Sequence, residues 1–529
     1  MNFSNKLYLG LLRRRPLHSC NKNNVRTIGN ENVLKNLGKY LKINRVKAEY
    51  MCLKHPVIEK LDEKSILNMV ETVHELGFPK IILAKEPSLL SLLPVTLKFR
   101  YRVLKECGFI DIQPVHLLTY LPIVKQKSIG ELRKLGLISP HMNVENKLAS
   151  HMTQWPTSLT NLIYEDVNKN SLYTLRLKII QRYLELLLDL STEEFHRGIK
   201  TYPTVKHRPL KAINETLNIL QSQVMMPNYK LKTNFYLIHV DPDNLKNIIH
   251  NFKTIGGIDI KEIIRLHPKL ATKNYTTLVE IRNVLQEYGI SNEAQRRCFD
   301  IYTLSPNTIK ERIETAMKIP EFSTFFNHPR FLKMIHYKKT AMKRLNNLYS
   351  NNKKCLSLNI LSGSSAHFKT FERAPGDRLG KGKDLVFCIS QFLENDYSAN
   401  DIRRMIRRHP FWINIPLVQV KYVYEQLCKE FSKSDIYENS FILLYPWNKI
   451  KETLDVFNSP TKQRQFQVIY EQLDIKKLNS SKKLSIILYL LEKNHYFSGN
   501  GVWVDEKCKN QVDLPYFQES EIVVKSART

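Results

Sequence analysis

Four arginines, Arg403, Arg404, Arg407 and Arg408, share the run IRRMIRRHP. On a helix, positions i, i+1, i+4 and i+5 stack on one side, which leaves Ile402, Met405 and Ile406 for the other. Guanidinium groups so grouped present forked donors that match phosphate oxygens two at a time, so the chemistry on offer is the binding of a polyphosphate chain. Asp396 and Asp401 lie close enough in sequence to neutralise part of the cluster, and a salt-bridged surface is the competing reading. A second basic stretch, residues 330–383, holds 13 Lys/Arg against the acids Glu372 and Asp377. Its first part, Lys338, Lys339, Lys343 and Arg344, shares a helical pattern with Met342, Leu345 and Leu348. Its second part carries Arg373, Arg378, Lys381 and Lys383 in a glycine- and serine-containing segment that reads as a long loop contacting phosphates, or as a solvated insertion. Arg265, Arg282, Arg296 and Arg297, around Gly289, continue the candidate track.

Catalytic chemistry finds little support. GDRLGKGKD, from Gly376 to Asp384, lacks the spacing of a phosphate-cradling GxxxxGK[ST] loop and the hydroxyl residue after its lysine. The histidines are scattered, there is no CxxC, and HExxH and GxSxG are missing, so neither a metal nor another cofactor is expected. Most of the eight cysteines sit near apolar residues and read as small buried apolar side chains in a reducing compartment.

The whole chain agrees with a polyanion partner. It has 529 residues, 81 Lys+Arg against 50 Asp+Glu and a formal net charge of +31, a surplus that repels itself unless something anionic meets it. With 43% hydrophobic and 10% aromatic residues it can bury a core, and the scarcity of glycine, 17 in all, suits helices. No apolar run is long enough to span a bilayer, so a soluble monomer is expected.

The elements that must carry these cations form a repeat. An apolar residue four positions before a proline recurs in CLKHP (Pro56), LAKEP (Pro87), LTYLP (Pro122), MTQWP (Pro156), IKTYP (Pro203), IRLHP (Pro268), YTLSP (Pro306), IRRHP (Pro410) and ILLYP (Pro446). In three cases a glycine follows the proline by 21 residues: Pro56 with Gly77, Pro87 with Gly108, Pro268 with Gly289. The intervening apolar spacing is helical, and each glycine suits a left-handed C-terminal cap. Each unit is two helices and a turn that cannot bury its apolar face alone, so neighbours stack into a solenoid. Ser432, Ser434 and Asp435 are candidate N-caps for a later unit. Trp155, Trp412 and Trp447, next to repeat prolines, are expected as wedges between units rather than base-stacking platforms.

Leu76-Gly77-Phe78, the pairs Asp401-Ile402 and Asp435-Ile436, and the short helices ending in apolar-x-x-x-Pro together resemble the repeat of the mitochondrial transcription termination factors, the mTERF family. The resemblance covers about residues 34 to 480. It implies an all-α helical-repeat solenoid, a left-handed superhelix of half-ring shape with a basic inner path for duplex nucleic acid. The partner it implies is mitochondrial double-stranded DNA, with transcription termination as the outcome and other mitochondrial transcription factors as companions. Binding of ribosomal RNA during ribosome assembly is the alternative within the family, and a protein-binding adaptor is the alternative outside it. A mitochondrial address is independently legible: Lys6, Arg13, Arg14, Arg15, Lys22 and Arg26 all precede the first acid, Glu31, among interleaved leucines. The expected organisation is a transit peptide at 1–28 for import to the matrix and its nucleoid, helical repeats at 29–349, the basic loop at 350–383, further repeats at 384–480, and a final helix and tail at 481–529.

Overall fold

The computed structural model describes residues 30–163, 166–351, 358–373, 382–394, 396–409, 412–459 and 478–493. They are helical nearly throughout, and the chain is an all-α helical-repeat solenoid. One two-stranded hairpin, Thr254–Ile255 with Ile258–Asp259, interrupts the helices, turned by Gly256 and Gly257 at φ 58° and 79°. The chain packs as two compact units. Among the described residues, the first comprises 30–218 with 228–239, and the second 219–227 with those from 240 to 493. This division falls well before the break near 350 suggested by composition.

The repeating element is a short α-helix, a 3-10 helix and a longer α-helix. In the first unit it reads Ile82–Lys85, Pro87–Ser91, Pro94–Glu106. In the second it reads Ile260–Leu266, Pro268–Thr272, Tyr275–Glu287. Proline does more here than end a helix. It bars the residue before it from the helical conformation, and its missing amide is no loss at the first position of the helix that follows. Glu86 (φ −121°, ψ 73°), Tyr202 (φ −122°, ψ 71°) and His267 (φ −127°, ψ 71°) accordingly share one corner conformation. Cys298 (φ −153°, ψ 72°) makes a related corner before Phe299 without a proline.

Alignment on prolines nevertheless merges different positions, Pro122 lying inside the helix Tyr120–Lys125. Pro87, Pro203 and Pro268 open 3-10 helices, whereas Pro306 begins the long helix Pro306–Met317 and Pro446 caps Trp447–Asn458. The glycine anchors are in register. Gly77, Gly108 and Gly289 have φ of 84°, 80° and 65°, and the amide of the following residue returns to the last turn. Phe78 N donates to Val73 O, Phe109 N to Leu104 O and Ile290 N to Leu285 O, closing each helix with a Schellman turn. Ser432 is the N-cap of Lys433–Glu438, its hydroxyl accepting from Asp435 N while the Asp435 carboxylate accepts from Ser432 N. The core is mainly aliphatic, drawn from the inward stripes of the α-helices, with fully buried rings such as Phe195, Phe252, Tyr302 and Tyr445. Cys52, Cys107, Cys298 and Cys388 are buried within it as expected, while Cys428 is exposed.

Two expectations fail. The stretch 350–383 is not a continuous loop: Leu358–Ser362 and Ser365–Arg373 are helices, and Gly382–Phe392 begins inside it. Glycine and serine in SGSSAHFKTFER serve the turn between two short helices whose apolar faces bury Leu358, Ile360, Leu361, Phe368 and Phe371. Trp155 is 76% exposed and wedges nothing, whereas Trp412 and Trp447 are half-buried, Trp412 lying against Gly382 where a methyl group would collide with its ring.

A candidate nucleic-acid interface

All the basic candidates belong to the second unit. The arginine run sits on the helix Ala399–Ile406, which is set by the N-cap Ser398 and anchored by the fully buried Ile402 and Ile406. The helix is shorter than the spacing implied. Arg407 is its C-cap, and Arg408 N bonds to Met405 O, so the last two arginines lie on a tightened turn rather than a further α turn. All four side chains remain exposed. Of the two acids considered, Asp401 reaches Arg404 at 3.7 Å, and both groups are largely in water, where such a pair contributes little. Among the described residues, Arg403, Arg407 and Arg408 take part in no ion pair. Cations at a helix C-terminus are also favoured by its dipole, so the cluster costs the fold little.

A buried ladder aims this turn. His409, 2% exposed, brings Nε2 to 3.3 Å from the Tyr445 hydroxyl, and that hydroxyl donates to Glu492 Oε1 at 2.6 Å. The residue after the arginines is thereby tied to the next repeat and to the helix Ser480–Glu492. Burial pushes the His409 pKa down to about 4, so it is held neutral. The unfolded chain, with an ordinary histidine pKa near 6.5, binds the extra proton first as pH falls. The contribution of His409 to stability is therefore fully present above about pH 6.5 and is lost between there and about pH 4. His207 in the first unit, also held near 4 chiefly by burial, acts in the same direction. We expect acidification from pH 7 to pH 5 to lower the calorimetric melting temperature. His409→Gln should remove about 2 kcal/mol of that pH dependence from the second unit, and an unaltered pH profile would contradict the assignment.

The helix Lys338–Ser350 divides its cations. Lys339 and Lys343 are exposed, Lys338 is half-buried with its pKa lowered by that burial, and Arg344 is not a surface residue at all. Arg344 is 7% exposed and donates through Nη1 to the carbonyls of Ile360, Leu361 and Gly363 at 3.4, 2.9 and 2.8 Å, with its guanidinium over the Phe368 ring. It closes the C-terminus of Leu358–Ser362, whose start is held by Asp384 Oδ2 accepting from Leu358 N. Asp384 is itself 3.4 Å from His328 Nε2. Arg344 thus orders the basic insertion instead of binding phosphate. Arg344→Ala should speed amide exchange across 358–373 by about 10- to 100-fold, since two buried carbonyls and one part-buried carbonyl lose a charged donor. Arg344→Lys, with no planar fork, should restore only part of the protection.

Arg373 ends the helix Ser365–Arg373 and is exposed. Lys383, exposed, lies in the first turn of Gly382–Phe392, the helix that packs against the arginine helix. Arg378 and Lys381 lie outside the described residues. Around Gly289 the candidates separate. Arg296 Nε donates to Gly256 O at 2.5 Å and fastens the hairpin turn, and Arg282 lies 4.7 Å over the Phe252 ring, half-buried. These two are occupied structurally, which the sequence hides because their partners are a backbone carbonyl and a distant ring. Arg265 is half-buried in the last turn of Ile260–Leu266, and exposed Arg297 pairs with Glu293 at 3.6 Å. Lys333, an exposed cation outside the candidate set, lies in the last turn of Phe331–His336 and repeats the placement of Arg265 and Arg297 at the ends of their own helices. The recurrence of a cation in that last turn was its signal.

Among the described residues, no three His, Cys, Asp or Glu side chains gather as a metal site would require, and no helix is long and apolar enough to cross a membrane. Fold and surface define a class: an all-helical repeat solenoid whose second unit displays arginines and lysines at helix ends. No family model matches the chain, and no solved structure matches it. It is similar to the protein named transcription termination factor 5, mitochondrial, of Drosophila melanogaster, with 31% identity over 474 residues, 88% of this chain and 83% of that protein. The chain belongs to the family of mitochondrial transcription termination factors.

Proposed function

We propose that the protein acts in the mitochondrial matrix as a non-enzymatic regulator of transcription that binds double-stranded mitochondrial DNA and promotes termination. The observation that carries the reading is the exposed turn Arg403 to Arg408, three of whose four arginines have no ion pair among the described residues, in a chain of this family. Lys339, Lys343, Arg373, Lys383, Lys333 and Arg297 add exposed cations on the same unit. Phosphate contacts of this kind supply affinity and register through counterion release, and arrest of a polymerase then depends on long residence at one site through base contacts or DNA deformation. Transcription by a mitochondrial RNA polymerase across tiled templates tests the termination step. Discrete shortened transcripts that appear only with the protein and vanish at high salt are expected, and full-length products from every tile would refute it. The acid-free leader supports the location. Deleting residues 1–28 should abolish import into isolated mitochondria, and continued import of the shortened chain would refute that assignment.

A further inference from the structure

We propose that the outward face of the helix Arg45–Lys54 is a docking surface for an acidic amphipathic helix of a partner protein. The outermost elements of a solenoid ordinarily turn a polar side to water. The first described helix, Glu31–Leu41, does so: Val33, Leu34, Leu37 and Leu41 are buried, and its exposed side is Glu31, Asn32, Lys35 and Lys39. Arg45–Lys54 does not. It buries Ala48, Met51 and Cys52, yet on the other side Val46 is 72%, Tyr50 61% and Leu53 60% exposed, with Val57 at 50% in the turn that follows. The first three stand at i, i+4 and i+7, the spacing by which one helix anchors on another, and nothing among the described residues covers them.

The rim of this stripe names the occupant. Lys42, Lys47, Lys54 and Lys60 are exposed around it, and none has an ion pair among the described residues. Lys54 Nζ rests 5.9 Å from the Tyr50 ring. The neighbouring cations Lys39 and Arg45, by contrast, are already held by Glu63 and by Glu31 and Glu49. Half-exposed Glu59 and exposed Asp62, in the segment that follows, have no ion pair among the described residues, but four such lysines outnumber them, so the net charge offered to a visitor is positive. The chain's own leader carries six cations and no acid before Glu31, and would set like charges against this rim. A second copy meeting face to face would oppose lysines with lysines. A helix with apolar anchors at i, i+3, i+4 and i+7 flanked by Asp and Glu satisfies both stripe and rim. The face would give the protein a recruiting function independent of phosphate binding.

The test uses the full chain and two designed, fluorescein-labelled amphipathic peptides, identical in their leucine anchors and flanked by Glu in one and Lys in the other, read by fluorescence anisotropy. The Glu peptide should bind at least about 10-fold more tightly than the Lys peptide, and Leu53→Glu and Tyr50→Glu should each weaken it by about 10-fold. The double variant Lys47→Glu, Lys54→Glu should reverse the preference between the peptides. All these side chains are exposed, so the variants should keep the wild-type melting temperature and duplex DNA affinity, which separates this inference from the one above. Equal affinity for the two peptides, no binding of either, or indifference to the variants would overturn it. So would competition by a synthetic peptide of residues 1–28, self-association abolished by Leu53→Glu, or adsorption to phosphatidylglycerol vesicles through the same residues.

Discussion

Replacing Arg403, Arg404, Arg407 and Arg408 together by alanine is expected to weaken duplex binding by about 100- to 1000-fold near 0.1 M salt, and to flatten the dependence of log K on log salt by up to about 3.6. Each arginine that neutralises one phosphate contributes about 0.9 to that slope, so the change in slope counts how many of the four touch DNA. Folding should hardly change. The four side chains are exposed, and the loss of favourable charge at the end of Ala399–Ile406 is worth only a few tenths of a kcal/mol for each. Gel-shift or anisotropy titrations at several salt concentrations provide the measurement. A reduced affinity with an unchanged slope would mean that the arginines act without phosphate contact, and an unchanged affinity would remove this turn from the interface.

The largest effect on stability is expected in the first unit. Arg176 is 1% exposed and Glu106 6%, and Arg176 Nη1 reaches Glu106 Oε2 at 3.3 Å while its Nη2 donates to Arg208 O at 2.5 Å. Glu106 also accepts from the amides of Leu210 and Lys211 at 2.7 and 2.9 Å, so it caps the helix Leu210–Asn218 from a distant element. The two partners are therefore unequal. Glu106→Gln leaves a buried guanidinium without a counter-ion and should cost the first unit about 3–5 kcal/mol. Arg176→Met leaves a carboxylate that still has two amide donors and a helix N-terminus, and should cost less. The double variant should fall short of the summed losses. Denaturant titration of the three variants measures the ordering, and losses below about 1 kcal/mol for both single variants would contradict the reading of a buried, mutually dependent pair.

What the sequence disclosed, and what it withheld, follows from the range of the interactions involved. Gly77, Gly108 and Gly289 were legible because a left-handed cap is a local requirement of one residue, and Ser432 because a capping box closes within four positions. The prolines were legible as corners but not as two kinds of corner, since a missing amide is tolerated both at the start of a 3-10 helix and at the start of the long helix after it. Arg344 and Arg282 were taken for free surface cations, and the attachment of exposed Arg296 was overlooked, because their partners, three carbonyls, an aromatic ring and a hairpin carbonyl, lie from 16 to 40 residues away. The same distance hid part of what orders the helices at 358–373, which rest on Arg344 and Asp384 as well as on their own buried apolar residues. The arginine turn itself was readable, being one short run, though its shortened helix was not.

Competition binding of residues 29–529 at physiological salt tests the central claim most directly, with tiled duplexes of the mitochondrial genome set against structured ribosomal RNA and random duplex. Strong preference for one or a few DNA tiles, lost together with the arginines of 403 to 408, is the predicted result. Preference for the RNA, or equal binding of every duplex, would contradict a site-specific role in transcription.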